Sequence, residues 1–372
     1  MAITSSWKEP MTNSVETHEL AVCIGRFQVF HNAQLALLRR ALQMAPECVV
    51  VLGSAFQARS PRNPFTWEER AEMIRLALPE ADRVRPKFLP VRDHYDTARW
   101  AADVKQGVTQ LHPGQPSVVL VGHRKDATSA YLRDFPGWSL DDAGTQGDID
   151  ASALRDAYFG AARDGSIDAA LSALVSQAPA STLQFLRAWS QLPMYPQVAQ
   201  EWESLRHEKA LWAGSPYTPV FVTVDTIIQC SQQVLLIERG RSPGKGLLAV
   251  PGGFIEERET AWQSALRELA EETGLRLLDS EVQAAFKAVH VFDHPDRSQR
   301  GRVITHAHWF DLGSRPPPDV QAGDDASAAR WVPIADLPAM EDRFHDDHFH
   351  ILDFFFGLVT APVVGGQSAM ND

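Results

Sequence analysis

The sequence predicts two α/β domains in series, a parallel doubly wound sheet followed by a mixed sheet with helices. The first domain is predicted by the alternation of short, β-branched apolar runs with helical stretches. The second is predicted by a new series of strands that follows a Gly- and Pro-containing break near residue 214. The length of 372 residues agrees with this division, because a domain holds roughly 100–200 residues.

The first half contains four apolar runs that are short and continuous, as strands buried on both faces are. The predicted strands are Leu20–Ile24, Cys48–Leu52, Val84–Val91 and Val118–Val121, and helices lie near Ala33–Met44, Trp67–Leu78 and Thr97–Leu111. The second helix opens with Thr66 and Glu69, a capping-box pair. An alanine-rich helical stretch from about Ala151 to Trp212 completes this half.

The second half begins again with strands. They are predicted at Val220–Ile228, Val234–Glu238, Leu247–Val250, Val282–Val291 and Val303–Leu312, with helices at Ala261–Glu272 and Asp347–Leu358. We therefore place the first domain at residues 19–213 and the second at 214–360. Residues 1–18 and 361–372 are expected to be disordered tails.

The composition argues against several classes of protein. Asp and Glu number 47 against 35 Lys and Arg, and the formal charge of −12 disfavours nucleic-acid or membrane-surface binding. Three distant cysteines exclude a disulfide framework and a Cys-rich zinc site. No apolar run reaches the 18 residues of a membrane span, and the amino terminus lacks a signal-peptide core. A cytoplasmic protein is expected.

Three glutamates in the stretch from 253 to 275 point to a metal site. Glu268, Glu271 and Glu272 are spaced three and four residues apart, so they share one face of a helix. Gly274 follows as a C-cap. Most glutamate-rich helix faces are simply solvated, but three crowded carboxylates repel one another. A hard divalent cation, Mg²⁺ or Mn²⁺, would offset that repulsion.

The same stretch resembles the Nudix box at every fixed position, which decides against a merely solvated face. Those positions are Gly253, Glu259, Arg267, Glu268, Leu269, Glu271, Glu272, Gly274 and Leu275. The resemblance implies a pyrophosphatase that acts on a nucleoside diphosphate linked to another moiety. It implies that the three glutamates bind the metals and that Arg267 positions a box carboxylate. It also implies that Gly252 and Gly253 let the preceding loop pass close to the helix. The general base could be a carboxylate of the box or one of the pair Asp324-Asp325.

Three arginines follow the box in an otherwise acidic chain. Arg297, Arg300 and Arg302 are either a basic surface loop or guanidinium groups that bind a phosphate, and their position after a Nudix box favours phosphate. Together with residues 322–326 and 347–349, they resemble the ADP-ribose-hydrolysing branch fused to nicotinamide-nucleotide adenylyltransferases. The resemblance implies cleavage of ADP-ribose to AMP and ribose 5-phosphate. Another nucleoside diphosphate derivative is the alternative.

A second candidate site lies at the end of the first strand. Gly25, Arg26, Phe27 and Gln28 precede a helix whose free N–H groups form a phosphate cradle. This segment resembles the nucleotidyltransferase loop. Residues 62–66, 91–93 and the motif Gly122, His123, Arg124, Lys125 and Asp126 are similar to bacterial NMN adenylyltransferases fused to Nudix domains. The resemblance implies that ATP and NMN bind here.

The catalytic signature of that family is altered in this chain. The family's His-any-Gly-His reads His31-Asn32-Ala33-Gln34, and its Ser-Ser-Thr-any-any-Arg retains only Ser152 and Arg155. A neutral amide replaces the second histidine, and loss of one transition-state donor typically costs about 10²–10³ in rate. We expect impaired synthesis of NAD.

Two other interpretations stay open. The chain could be a non-catalytic sensor of ADP-ribose or NMN, although a complete box argues against that class. Its first domain could instead be an inert dimerisation or docking module. The oligomeric state, with a homo-oligomer as one option, is also open.

Overall fold

The computed structural model describes residues 18–122, 133–144 and 149–359. The predicted tails therefore lie outside the described residues, apart from His18 at the end of the first tail. The predicted α/β fold class is confirmed. The chain contains two separate sheets, a five-stranded parallel sheet and a seven-stranded mixed sheet. Residues 212–219 connect the last helix beside the first sheet to the first strand of the second.

The first sheet has the strand order β3-β2-β1-β4-β5, and every pair in it is parallel. Its elements are β1 (Leu20–Gly25), α1 (Asn32–Met44), β2 (Glu47–Leu52), α2 (Trp67–Leu76), a 3₁₀ turn (Glu80–Asp82), β3 (Pro86–Pro90), α3 (Thr97–Leu111), β4 (Val118–Gly122) and β5 (Ser139–Asp142). The reversal of strand order at β1 and β4 opens a crevice at their carboxyl ends. The capping box of α2 is confirmed, since Thr66 Oγ1 accepts from Glu69 N and Thr66 N donates to Glu69 Oε2.

The alanine-rich stretch forms four helices, which pack on one another and on α2. They are α4 (Ala151–Asp164), α5 (Ile167–Ala173), α6 (Ala180–Trp189) and α7 (Met194–Leu211). Buried aromatic rings join them, because Tyr158 and Tyr195 contact each other and each contacts both Phe159 and Trp189. Trp189 Nε1 also donates to Glu69 Oε1 at 3.1 Å, which ties these helices to α2.

The second sheet has the order β10-β11-β6-β7-β12, with β8 and β9 paired to β7 and β6. Its elements are β6 (Val220–Cys230), β7 (Gln233–Arg239), β8 (Leu248–Ala249), β9 (Gly252–Phe254), α8 (Ala261–Thr273), α9 (Asp279–Ala285), β10 (Phe286–Phe292), β11 (Arg302–Asp311), β12 (Ala326–Pro333), a 3₁₀ stretch (Ile334–Arg343) and α10 (His348–Phe356). One apolar core lies on each face. The long α8 carries the Nudix box.

One predicted strand is wrong in its first half. Residues 279–285 form α9, because Glu281 Oε2 accepts the Leu278 N–H and caps a new helix, and Val282 and Ala285 bury one face. The strands β5, β9 and β12 and the 3₁₀ stretch were not predicted from the sequence. The β5 sequence, Ser-Leu-Asp-Asp, has no apolar run to reveal it.

Two observations concern the expectations about membrane spans and cysteines. Across the described ranges, no helix has both the length and the apolar character needed to cross a membrane. Cys23, Cys48 and Cys230 are buried free thiols.

Candidate active sites

The loop before α8 passes so close to neighbouring groups that only glycine fits. A Cβ on Gly253 would overlap the carboxylate of Glu268, and one on Gly252 would overlap the carbonyl oxygen of Val224. Gly252 N donates instead to Glu272 Oε2 at 2.9 Å. The two glycines therefore bring the backbone of the loop against the carboxylate face of α8.

Arg267 connects three carboxylates of the box. Its guanidinium donates to Glu259 Oε2 at 2.9 Å, to Glu268 Oε1 at 2.9 Å and to Glu271 Oε2 at 2.8 Å. Burial by itself lowers the pKa of Arg267, but these hydrogen bonds raise it above the ordinary value. Hydrogen bonds from Ser264 and Arg267 lower the pKa of Glu259. Arg267 thus holds the acidic side chains close together.

Two of the three predicted metal ligands are buried. Burial raises the pKa of Glu272, which is 3% exposed, to about 8, and burial also raises the pKa of Glu268. Glu271 lies at the exposed end of the group. Carboxylates in this setting are stabilised by a nearby cation, and their hard oxygen atoms are the donors that Mg²⁺ and Mn²⁺ prefer. The residues present fit a divalent ion.

The described residues contain no preassembled group of three His, Cys, Asp or Glu side chains with metal-site geometry. The cation in contact with Glu268 and Glu271 is the Arg267 guanidinium. Asp324 lies near the group, since its charge contributes to the raised pKa of Glu268 and of Glu272. Asp325 pairs with Arg241 at 2.7 Å. The choice of general base therefore stays open between the box and Asp324-Asp325.

The three predicted phosphate-binding arginines have three different surroundings. Arg297 is buried and forms a two-pronged pair with Asp347, with both distances 2.8 Å. Arg300 Nε lies 3.3 Å from Glu208, and its guanidinium lies 5.8 Å from the ring centre of Phe254. Arg302 donates to the carbonyl oxygen of Asp293. Phosphate binding by these arginines stays a prediction, and Arg300 is the one beside the box loop.

The N-terminal loop is held by hydrogen bonds. Gly25 ends β1, and Arg26 is exposed beside it. The Gln28 amide both donates to Phe65 O at 2.9 Å and accepts from Phe65 N at 3.0 Å. The Arg155 guanidinium donates to the carbonyl oxygen of Gln28 and to Ser152 Oγ, so Arg155 contacts both the predicted loop and the other retained family residue.

The altered catalytic residues form the first turn of α1. Gln34 Oε1 accepts the backbone N–H of His31 at 3.2 Å, so the amide caps the helix. His31 Nδ1 is buried and has no hydrogen-bond partner. Burial lowers the pKa of His31 to about 4, although the charge of Asp150 opposes this shift. His31 is therefore neutral at pH 7.

The predicted nucleotide motif after β4 is only partly described. Gly122 ends β4, and its carbonyl oxygen accepts from Ala143 N at 2.9 Å. His123, Lys125 and Asp126 lie outside the described residues.

A cavity of about 930 Å³ lies where the crevice of the first sheet faces the second domain. The first domain contributes the predicted residues Gly25 and Arg26, and also Asp93 and Tyr95. The second domain contributes residues 242–247, 294, 296, 297, 299 and 342, 344–346. Tyr95 and His294 were not predicted from the sequence, because a lone aromatic residue in a loop carries no signal of a partner in another domain.

Two domain families match the chain. The NUDIX domain family matches residues 219–355, and the cytidylyltransferase-like family matches residues 22–130. A nicotinamide/nicotinic acid mononucleotide adenylyltransferase of Acinetobacter baylyi is 35% identical over 184 residues, which are 49% of this chain and 93% of that protein. An ADP-ribose pyrophosphatase of Methanocaldococcus jannaschii is 37% identical over 119 residues, 32% of this chain and 65% of that protein.

Solved structures resemble the whole two-domain arrangement. A bifunctional NMN adenylyltransferase/ADP ribose pyrophosphatase from Francisella tularensis has a TM-score of 0.83 at 31% identity, covering 92% of this chain and 99% of that chain. A second structure with that description, complexed with AMP and a manganese ion, has a TM-score of 0.82 at 29% identity over the same shares of the two chains.

Fold and sites together define a nucleotidyltransferase-like domain fused to a Nudix hydrolase domain. The chain belongs to the family of bifunctional NMN adenylyltransferase/ADP-ribose pyrophosphatases. Nudix hydrolases use divalent metal ions, in agreement with the donor set of the box.

Proposed function

We propose that the second domain hydrolyses ADP-ribose to AMP and ribose 5-phosphate with Mg²⁺ or Mn²⁺. The observation that carries this proposal is the complete Nudix box, whose arginine joins three of its four glutamates. The names of the relatives from Methanocaldococcus jannaschii and Francisella tularensis support the choice of substrate. The reaction consumes one water and breaks one bond between a phosphorus atom and the bridging oxygen.

The residues of this chain have separate roles in that reaction. Glu268, Glu271 and Glu272 would hold the divalent ion, which when bound neutralises phosphate charge and lowers the pKa of a water molecule. Arg267 keeps Glu268 and Glu271 together before substrate arrives. Gly253 keeps the loop backbone close to Glu268, where no side chain would fit. Arg300 lies beside the loop, where a guanidinium can bind a phosphate.

The test is formation of AMP from ADP-ribose with Mg²⁺, and with Mn²⁺ in parallel. Glu271→Gln keeps the shape of the side chain and removes its charge, and we expect it to lower the rate on the order of 10²-fold. Glu257→Gln is the matched control, because Glu257 is exposed in the loop before α8 and is not at a fixed position of the box. The proposal fails if the wild type forms no AMP and Glu271→Gln is indistinguishable from it. Cleavage of another nucleoside diphosphate derivative alone would select the alternative substrate.

We further propose that the first domain binds ATP and NMN and forms NAD at a reduced rate. The relative from Acinetobacter baylyi supports this activity, since the match covers 93% of that adenylyltransferase. The contact of Arg155 with Ser152 and with the Gln28 carbonyl supports a retained phosphate cradle. An assay with ATP, NMN and Mg²⁺ tests it by detecting NAD. Binding of NMN without formation of NAD would leave a ligand-binding module, and no binding would leave an inert one.

We also propose that the protein works in the cytoplasm on small nucleotides, without a nucleic-acid or membrane partner. The formal charge of −12 supports this proposal, since it disfavours both polyanions and anionic lipid. A band-shift titration with duplex DNA at low salt tests it, and binding of the DNA would refute it.

A further inference from the structure

In the part of the chain that the structure describes, the second sheet ends in a strand whose outer side is open. Strand β10 lies at the end of the strand order, and within the described ranges it pairs with β11 alone. Every second residue of an antiparallel edge strand turns its backbone N–H and C=O groups away from the sheet. These groups can pair with another strand, so the outer side of β10 is open to strand addition.

The side chains of β10 are exposed, although most of them are apolar. None of its seven residues is buried, and Val289 and Val291 are 49% and 44% exposed. Val291 lies opposite His306 of β11. Ile304, two residues before His306, lies opposite Val222 of β6, which is itself exposed. Since side chains two residues apart share a face, these apolar groups lie on one face of the sheet.

The opposite face of β10 also continues into apolar surface. The ring of His290 is stacked on the ring of Phe354 of α10, with 4.1 Å between their centres. Phe354 is 54% exposed. An edge strand with apolar surface on both of its faces is the kind of surface that soluble proteins cover with a partner.

The edge strands of the first sheet carry the protection that β10 lacks. Strand β3 begins and ends with proline, Pro86 and Pro90, and β5 is four residues long and ends in Asp141 and Asp142. Proline, charge and shortness all hinder the addition of a strand. Strand β10 has seven residues, no proline and one charged side chain, Lys287.

The charges at the two ends of β10 select a second copy of this chain as the partner. Lys287 and Asp293 are both exposed and lie three residues to either side of His290. When two copies pair antiparallel about His290, each Lys287 lies opposite Asp293 of the second copy, which is a favourable cross-strand pair. The same register places Val289 opposite Val291 of the second copy. Pairing about Val289 would instead place Lys287 opposite a valine.

Both charged groups are placed to take part in that pairing. Lys287 Nζ lies 3.9 Å from Asp311 Oδ2, at the limit of an ion pair, and the Lys287 side chain is 44% exposed. The contact of Asp293 with Arg302 is made through its carbonyl oxygen, so the carboxylate of Asp293 is not used in it. A two-fold axis therefore brings two complementary pairs of charges together, one at each end of the strand pair.

We propose that this chain forms a two-fold dimer in which β10 pairs antiparallel with β10 of a second copy, centred on His290. The dimer continues the second sheet from one copy into the other and covers the exposed valines. This inference does not depend on either proposed activity, because β10 contains no residue that we assign to a site.

The experiment measures the mass of the full-length chain by sedimentation equilibrium over a range of protein concentrations. We expect a dimer with a dissociation constant on the order of 10 μM, because a single pair of strands is a small interface. Well below that concentration the chain is a monomer, in which His290 is exposed.

Reversal of charge tests the register. Lys287→Asp and Asp293→Lys each place like charges opposite one another twice in the dimer, and we expect each to weaken it about 10-fold or more. The double variant restores opposite charges and should dimerise as wild type does. Arg276→Asp, a reversal at an exposed residue of the same domain outside β10, is the matched control. Far-UV circular dichroism checks that each variant is folded.

A wild-type chain that is still a monomer at about 1 mM would overturn the inference, and a different partner would then cover the strand. A dimer that both single variants leave unchanged would overturn it as well, because the contact would lie on another surface. A dimer that the single variants weaken and the double variant fails to restore would contradict the pairing about His290.

Discussion

The Nudix box and the N-terminal nucleotide loop each lie beside a buried apolar core, yet their polar side chains are arranged differently. In the box, Arg267 binds Glu259, Glu268 and Glu271 within 3 Å. In the loop, His31 is buried with a pKa of about 4 and an unpartnered Nδ1, and Gln34 is bound to the backbone. One site is a charged network and the other is a neutral helix end.

A fold can therefore be retained while the catalytic residues on it have changed. The parallel sheet, its crevice and the contact between Arg155 and Gln28 are all present in the first domain. What has changed is the charge available to a phosphate at the helix end. We therefore expect the two sites to respond differently to the same kinds of perturbation.

The largest effect should come from removing the divalent ion. With EDTA in place of Mg²⁺, we expect formation of AMP from ADP-ribose to fall on the order of 10³-fold or more, because the carboxylates alone cannot neutralise phosphate charge. The measurement is chromatography of AMP, with activity restored by excess Mg²⁺ as the control. Undiminished cleavage in EDTA would contradict a metal-dependent box.

Loss of the arginine of the box should have the next largest effect. Arg267→Ala leaves three carboxylates to repel one another, and we expect the rate of AMP formation to fall on the order of 10²-fold. Arg267→Lys should fall nearly as far, because a single ammonium group cannot replace the fork that binds three partners. Arg258→Ala, an exposed arginine in the preceding loop, serves as the control. Full activity of Arg267→Lys would show that charge alone suffices.

Restoring the family's catalytic signature in the first domain should raise an activity rather than lower it. Ala33→Gly with Gln34→His returns the second donor to the start of α1, and we expect NAD synthesis to rise roughly 10- to 10²-fold. The assay supplies ATP, NMN and Mg²⁺, and Ala33→Gly alone is the control for backbone effects. If the double variant forms NAD no faster than wild type, the altered signature does not explain a weak transferase.

The smallest effect concerns stability. The unfolded chain protonates His31 near pH 6.5 and the folded chain only near pH 4, because burial lowers the pKa. His31 therefore contributes stability that is fully present above pH 6.5 and is lost as pH falls toward 4, about 2 kcal/mol of it by pH 5. His31→Asn should flatten the pH dependence of the free energy of unfolding between pH 7 and 5, measured with urea. The exposed His290→Asn should not, and an unchanged slope in His31→Asn would contradict burial of the neutral form.

The sequence predicted the features that depend on neighbouring residues. The capping box of Thr66 and Glu69 and the helix that carries Glu268 and Glu272 are found where their spacing placed them. These patterns act over one or two helical turns, so they can be read without a tertiary structure. The close approach at Gly253, which the resemblance to the Nudix box implies, is found in its contact with that helix.

Such local patterns do not predict contacts between residues that are distant in the sequence. Arg297 was predicted to bind a phosphate, but its guanidinium donates two hydrogen bonds to Asp347, fifty residues further along the chain. The stack of Tyr95 on His294 joins two domains and leaves no periodic signal. Helix α9 was read as part of a strand, because short apolar runs fit either structure until the capping contact of Glu281 is known.

We propose that this chain pairs an active Nudix site with a weakened transferase site. The most direct measurement is a pair of assays on one preparation of the wild-type chain, with ADP-ribose and Mg²⁺ in one and ATP, NMN and Mg²⁺ in the other. We predict AMP from the first, and slow formation of NAD in the second. Rapid formation of NAD with no AMP from ADP-ribose would contradict this claim.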